Sequence, residues 1–242
     1  MAGKGWKEIQ RIAYGFSLDR LADVHGTDKG SGHGYTKVYA HFLRPYKFRS
    51  IKLLEIGVGG RGPADGGASL RMWKDYFPFG QIYGLDLHDK TSLQEPRIRI
   101  FQGDQSDPEA LRRVTGATGD LDVIIDDGSH RNEHVVRTFE LLFPRLKAGG
   151  LYFVEDTQTS YWPRYGGSSE NLQQAPTLMN FFKHRVDNIH FPELILKNAP
   201  EPDIYDRHIV GVHFFRGLIV IEKGDNSRAS TLIVDHRPPT NW

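Results

Sequence analysis

The runs Ile124-Ile125-Asp126-Asp127-Gly128-Ser129-His130 and Val154-Glu155-Asp156 each close an apolar, strand-like stretch on carboxylates. Carboxyl ends of neighbouring strands are where doubly wound sheets bind ligands. Asp127, Glu155 and Asp156 would then bring three carboxylates into one crevice. Such crowding forces protonation or repulsion unless a counter-charge relieves it. A divalent cation does so, and an all-oxygen set favours magnesium or calcium over zinc. His130 follows Asp127 by three residues. An imidazole in the same crevice is placed to accept a proton near neutral pH.

A second group of residues has the spacing of a nucleoside site. Leu53-Leu54-Glu55-Ile56-Gly57-Val58-Gly59-Gly60 follows an apolar strand, and glycine there lets a ligand lie against bare backbone. Gly57, Gly59 and Gly62 satisfy a dinucleotide fingerprint on paper, but Gly60 to Gly67 continues as a loop with Pro63 and Asp65. A pyrophosphate turn needs its helix at once, so a ligand without a pyrophosphate fits better. Asp86 ends Tyr83-Gly84-Leu85-Asp86, where an acidic residue receives ribose hydroxyls. Gly103-Asp104-Gln105, after a third strand, places polar groups to frame an adenine edge.

The elements that must position these residues alternate. Ile51–Ile56, Gln81–Leu85, Arg97–Phe101, Leu121–Ile125 and Leu151–Val154 read as buried strands. Leu70–Phe77, Pro108–Val114 and Val135–Leu146 read as helices between them. That alternation predicts an α/β fold, a doubly wound, mostly parallel sheet. Trp6, Ile9, Ala13 and Phe16 recur at helical steps, so residues 1–50 read as a helical cap. Residues 51–156 form the cofactor- and metal-binding core. Residues 157–207, with Tyr161, Trp162 and Tyr165, read as a substrate lid. His208–Phe215 and Leu218–Glu222, joined by Arg216-Gly217, read as an antiparallel hairpin that closes a single domain through the tail at 208–242.

Composition limits the function classes. Basic and acidic residues number 31 and 30, which gives no electrostatic footprint for nucleic acid or an anionic membrane. No cysteine is present, so disulfides, thiolate metal sites and cysteine nucleophiles are excluded. No signal-like N-terminal segment or membrane span is legible, and the reading is a soluble, cytoplasmic protein. Glycine, at 26 of 242 residues, exceeds the usual ~7%. Much of it falls at strand ends.

With Glu-Ile-Gly-Val-Gly-Gly at 55–60, Tyr-Gly-Leu-Asp at 83–86, Gln-Gly-Asp-Gln at 102–105 and Asp-Asp-Gly-Ser-His at 126–130, the chain resembles the class I S-adenosylmethionine-dependent methyltransferases. More narrowly, it resembles the metal-dependent macrocin- and mycinamicin-type sugar O-methyltransferases of natural-product biosynthesis. Gly26-Thr27-Asp28-Lys29 with Tyr35-Thr36, and the Thr157–Trp162 run, are similar to that group too. The resemblance implies a Rossmann-like sheet, S-adenosylmethionine and Mg2+ as cofactors, and a (deoxy)sugar hydroxyl on a secondary metabolite such as an antibiotic as acceptor. It assigns Asp127, Glu155 and Asp156 to the metal, and His130, with Asp127, to catalysis. Cofactor contacts fall to Thr27, Glu55, Gly57, Gly59, Asp86, Asp104, Gln105 and Asp126. Tyr161, Trp162 and Tyr165 would wall a glycosylated small-molecule substrate. The larger macrolide enzymes carry an extra N-terminal domain, for which this chain is too short. Self-association through N-terminal aromatics is expected.

Three other readings stand beside it. A catechol-like aromatic diol chelates magnesium as vicinal sugar hydroxyls do. An NAD-dependent oxidoreductase would use the same glycines and Asp86, against the delayed helix. A silent binding protein would retain the fold without the chemistry.

Overall fold

The computed structural model describes residues 17–60 and 62–237. The helix expected from Trp6, Ile9, Ala13 and Phe16 lies outside the described residues. The chain divides into two compact units, Met1–Ser129 and His130–Trp242.

In the first unit α1 (Leu18–His25) and α2 (Thr36–Leu43) precede β1 (Lys52–Ile56), α3 (Ala68–Tyr76), β2 (Gln81–Asp86), β3 (Ile98–Gln102), α4 (Pro108–Thr118) and β4 (Leu121–Asp126). The strands are parallel in the order β3-β2-β1-β4. Leu54 lies opposite Tyr83 on one side and Ile124 on the other. Leu53, Leu54, Ile82, Val123, Ile124 and Ile125 are all buried, the reason these strands read as continuous apolar runs. α3 buries Leu70, Met72 and Trp73, with Tyr39 of α2 against Trp73 edge-on at 4.9 Å. α1 ends on Gly26 at φ +71°, and His25 is bound to Asp75 of α3 at 2.7 Å. α4 starts where expected, because Asp107 accepts from the Glu109 N–H and Pro108 fills the first turn.

The second unit holds α5 (Asn132–Leu142), β5 (Leu146–Glu155), α6 (Leu178–Ile189), α7 (Ile204–His208), β6 (Ile209–Phe215) and β7 (Leu218–Lys223). β7 pairs antiparallel with both β5 and β6, and Arg216-Gly217 turns the expected hairpin with Gly217 at φ +77°. The helix expected over Val135–Leu146 instead runs from Asn132 to Leu142. Pro144 stops it, since an interior proline loses a hydrogen bond and clashes with the preceding turn; Phe143–Arg145 is a 3-10 turn. β5 starts at Leu146, earlier than the expected Leu151; Lys147, Ala148 and Gly149 are exposed, so this part of the strand carries no apolar pattern. Within 157–207, α6 is a core element: Phe182 is buried edge-on against Phe139 at 5.0 Å. Among the described residues no helix is long and apolar enough to cross a membrane.

Candidate functional site

The loop after β1 is shaped by what glycine alone can do. Gly57 sits at φ +89°, and a Cβ there would come within 2.1 Å of the Asp127 carbonyl oxygen. Its N–H donates to the Leu85 carbonyl at 2.8 Å. Gly59, at φ +77°, would place a Cβ against nothing within 4 Å, so its bare backbone borders space that a ligand could use. The Gly67 N–H closes the loop on the Val58 carbonyl at 2.8 Å, and α3 begins only at Ala68. The delayed helix read from the sequence is therefore present.

Asp86 stands at the tip of β2. Its Oδ2 accepts from the Val58 N–H at 2.8 Å and its Oδ1 from the His88 N–H at 2.9 Å. A carboxylate has about four acceptor positions, so these two bonds orient the group and leave capacity for a hydroxyl. Asp104 Oδ1 accepts from the Ser106 N–H and hydroxyl, both at 2.8 Å. Gln105 is buried; its amide donates to Asp126 Oδ1 at 3.0 Å and accepts the Ser129 N–H at 2.6 Å. Gln105 and Asp126 thus brace the end of β4. Thr27 is buried just past α1, with its N–H donating to the Ala22 carbonyl.

Beside this loop lies a residue that sequence reasoning left unassigned. Lys29 is 1% exposed, with Nζ 3.0 Å from Glu55 Oε1 and 2.5 Å from Asp127 Oδ2. Glu55 is fully buried, and its Oε2 accepts from the Trp73 indole N–H at 3.0 Å. Burial pushes the Glu55 carboxyl above its ordinary range; Lys29 pulls the other way and Asp127 adds to the rise. Glu55 therefore meets Lys29 and Trp73. Lys29 sat in a polar, glycine-broken stretch that reads as solvated. The usable signal was the crowding of carboxylates, which an ammonium relieves as a metal does.

In the second unit His130 and Asp156 both adopt the left-handed backbone region, at φ +55° and +53°. For non-glycine residues each such position costs on the order of 1–3 kcal/mol and concentrates at functional sites. His130 Nε2 lies 3.7 Å from Asp156 Oδ2. Glu155 is buried at the end of β5, opposite Leu218, while Gln158 donates to Asp156 Oδ1 at 3.2 Å. Tyr161 and Trp162 are 36% and 48% exposed, and the Trp162 ring is 6.0 Å from that of Tyr165. Asn132, also unassigned from sequence, is buried and fastens this segment. Its amide donates to the Thr159 and Tyr165 carbonyls at 3.2 and 2.9 Å, and its Oδ1 accepts the Leu178 N–H at 2.7 Å.

The donors fit the groups expected. Carboxylates suit a hard divalent ion, as they suit the Lys29 ammonium that lies 2.5 Å from Asp127 Oδ2. The open side of Gly59 suits a ligand lying along the loop.

Residues 54–157 match the model of a methyltransferase domain. The chain is 45% identical over 211 residues to the 8-demethyl-8-alpha-L-rhamnosyl tetracenomycin-C 2'-O-methyltransferase of Streptomyces olivaceus, covering 87% of this chain and 55% of that protein. It is 44% identical over 211 residues to the mycinamicin VI 2''-O-methyltransferase of Micromonospora griseorubida, covering 86% and 53%. A solved structure of the MycE methyltransferase from the mycinamycin biosynthetic pathway, in complex with Mg and SAH, matches with a TM-score of 0.85 at 43% identity. That match covers 90% of this chain and 58% of that one. Another, with Mg, SAH and mycinamycin VI, matches at 0.84 and 42%, covering 90% and 57%. The chain spans about half the length of the curated relatives it matches.

Proposed function

We propose that this chain is a methyltransferase-domain protein, and specifically a magnesium-dependent O-methyltransferase that methylates a sugar hydroxyl. The donor is S-adenosylmethionine, and the acceptor is a (deoxy)sugar on a secondary metabolite such as an antibiotic. The observation that carries this reading is the 44–45% identity to two enzymes named as O-methyltransferases, of a rhamnosyl tetracenomycin-C and of mycinamicin VI. Gly57, Gly59 and Asp86 would hold the cofactor, with Thr27, Asp104, Gln105 and Asp126 around it and Glu55 acting through Lys29. Asp127, Glu155 and Asp156 would hold the metal. When bound, S-adenosylmethionine supplies an electrophilic methyl group and magnesium an acidifying Lewis acid for the acceptor hydroxyl.

The chain's own part is positioning and proton transfer. His130 takes the hydroxyl proton, and the Asp156 carboxylate, 3.7 Å from Nε2, stabilises the imidazolium that results. The left-handed backbone at both residues aims them before any ligand arrives. Tyr161, Trp162 and Tyr165, fastened through Asn132, wall the acceptor and fix its orientation. We place the enzyme in the cytoplasm as a homo-oligomer acting without nucleic acid or membrane.

The test is direct. Titration calorimetry with S-adenosylhomocysteine and, separately, NADH should give binding for the first alone. Incubation with S-adenosylmethionine, Mg2+ and a panel of rhamnosyl and deoxysugar glycosides should yield singly methylated products. Binding of NADH in place of S-adenosylhomocysteine, or methylation of catechols with none of the glycosides, refutes the reading.

A further inference from the structure

Lys90 is fully buried in the connection between β2 and β3. Its ammonium donates to three backbone carbonyls of the glycine loop, those of Gly60, Gly62 and Asp65, at 3.0, 2.6 and 2.9 Å. An ammonium has three protons, so its donor capacity is filled by one loop. The loop is held at two further points. Asp86, at the end of β2, accepts the Val58 N–H, and in the same connection as Lys90 the Ser92 hydroxyl donates to the Pro63 carbonyl at 2.9 Å.

The loop needs that grip. Gly59, Gly60, Gly66 and Gly67 all hold positive φ, and glycine gives up more conformational entropy on ordering than any other residue. Among the described residues the loop's internal ties include Gly67 N–H to Val58 O at 2.8 Å, Asp65 N–H to Gly62 O at 3.1 Å, and Gly62 N–H to the Asp65 carboxylate at 3.1 Å. Turning three carbonyls inward would bury three acceptors at a loss, and one ammonium satisfies them together. Charge-assisted bonds of this kind are about twice as strong as neutral ones.

We infer that Lys90 is the positioning residue that preforms the Gly57–Gly67 loop for the cofactor, so that binding does not bear the cost of ordering it. The inference rests on the reading of this loop as the cofactor loop.

The test measures S-adenosylhomocysteine affinity by calorimetry and hydrogen exchange of the 57–67 backbone, in the intact chain and in Lys90→Met and Lys90→Gln. Methionine keeps the length and removes every donor; glutamine keeps two. The expected result is a dissociation constant raised at least ten-fold in Lys90→Met and by less in Lys90→Gln. Exchange at 57–67 should be faster in both ligand-free variants. Protection of β3 and α4, elsewhere in the unit, should not change. A folded Lys90→Met with affinity within two-fold of wild type and an unchanged loop overturns the inference. Where Lys90→Met does not fold, the same criterion applied to Lys90→Gln decides. If the wild-type chain gives no heat with S-adenosylhomocysteine, the cofactor reading falls. The exchange data then still decide whether Lys90 orders the loop.

Discussion

Replacing Lys29 by methionine separates a buried ion cluster from a surface one. Lys29 is 1% exposed between Glu55, fully buried, and Asp127. Exposed ion pairs contribute about 0–1 kcal/mol. Removing one partner of a buried pair costs about 3–5 kcal/mol, because the charge left behind has lost both water and its counter-ion. In Lys29→Met the methionine fills the volume, so the cavity contribution is small and the orphaned carboxylates dominate. For a chain of this size about 1 kcal/mol moves the melting temperature by roughly 2–4 °C, so the variant should melt roughly 6–20 °C lower. Glu55→Gln added to it should recover a large part of the loss. The neutral amide retains an acceptor for the Trp73 indole, and the most deeply buried negative charge is gone.

The assay is urea unfolding of wild type, both single variants and the double variant at pH 7, followed by Trp fluorescence and circular dichroism. The cycle isolates the Lys29–Glu55 coupling, expected to be favourable by more than about 1 kcal/mol for groups in contact. A Lys29→Met stability within about 1 kcal/mol of wild type would refute the argument. So would a double variant no more stable than Lys29→Met alone.

Three further outcomes follow from the same geometry. His130→Ala should lower turnover at least ~100-fold, the usual contribution of a general base, with S-adenosylhomocysteine affinity unchanged by calorimetry; turnover equal to wild type removes His130 from the reaction. Dialysis against EDTA should abolish methylation and Mg2+ should restore it, and full activity in chelator would refute the carboxylate assignment. Tyr205 is raised to about 12, chiefly by burial, with Glu140 and Asp203 adding and Arg185 opposing. A folded pKa above the unfolded one near 10 contributes stability that is present below pH 10 and lost as pH climbs through about 12. Urea midpoints from pH 8 to 12 should therefore fall more steeply for wild type than for Tyr205→Phe, and parallel curves would contradict the assignment.

The parallel half of the fold was legible because β1, β2 and β4 are buried on both faces. Leu53-Leu54, Val123-Ile124-Ile125 and the Pro108 helix start announce themselves by residue type. Errors fell where position overrides type. Apolar periodicity carried α5 past Leu142, although Pro144 forbids it. Half of β5 escaped notice because Lys147, Ala148 and Gly149 are exposed and leave no apolar pattern to read. The aromatic stretch after Glu155 read as one lid, yet Phe182 shares a core with Phe139, while Trp162 is half-exposed.

At the candidate site the division has a physical cause. Glycines with positive φ, strand-end carboxylates and a histidine beside them are marked by their own chemistry, so Gly57, Asp86, Asp127 and His130 could be picked out one by one. Lys29, Lys90 and Asn132 are marked only by their partners: two carboxylates for the first, three carbonyls for the second, two carbonyls and an N–H for the third. A lysine in a polar stretch reads as solvated until a fold brings acceptors around it, since lysine is almost never fully buried unless paired. Burial of both Lys29 and Lys90 is costly unless every proton is received, and for Lys90 every one is. In the first unit Lys90 holds three carbonyls of the glycine loop and Lys29 holds the Glu55 and Asp127 carboxylates, so each fixes groups that would otherwise be buried without a partner.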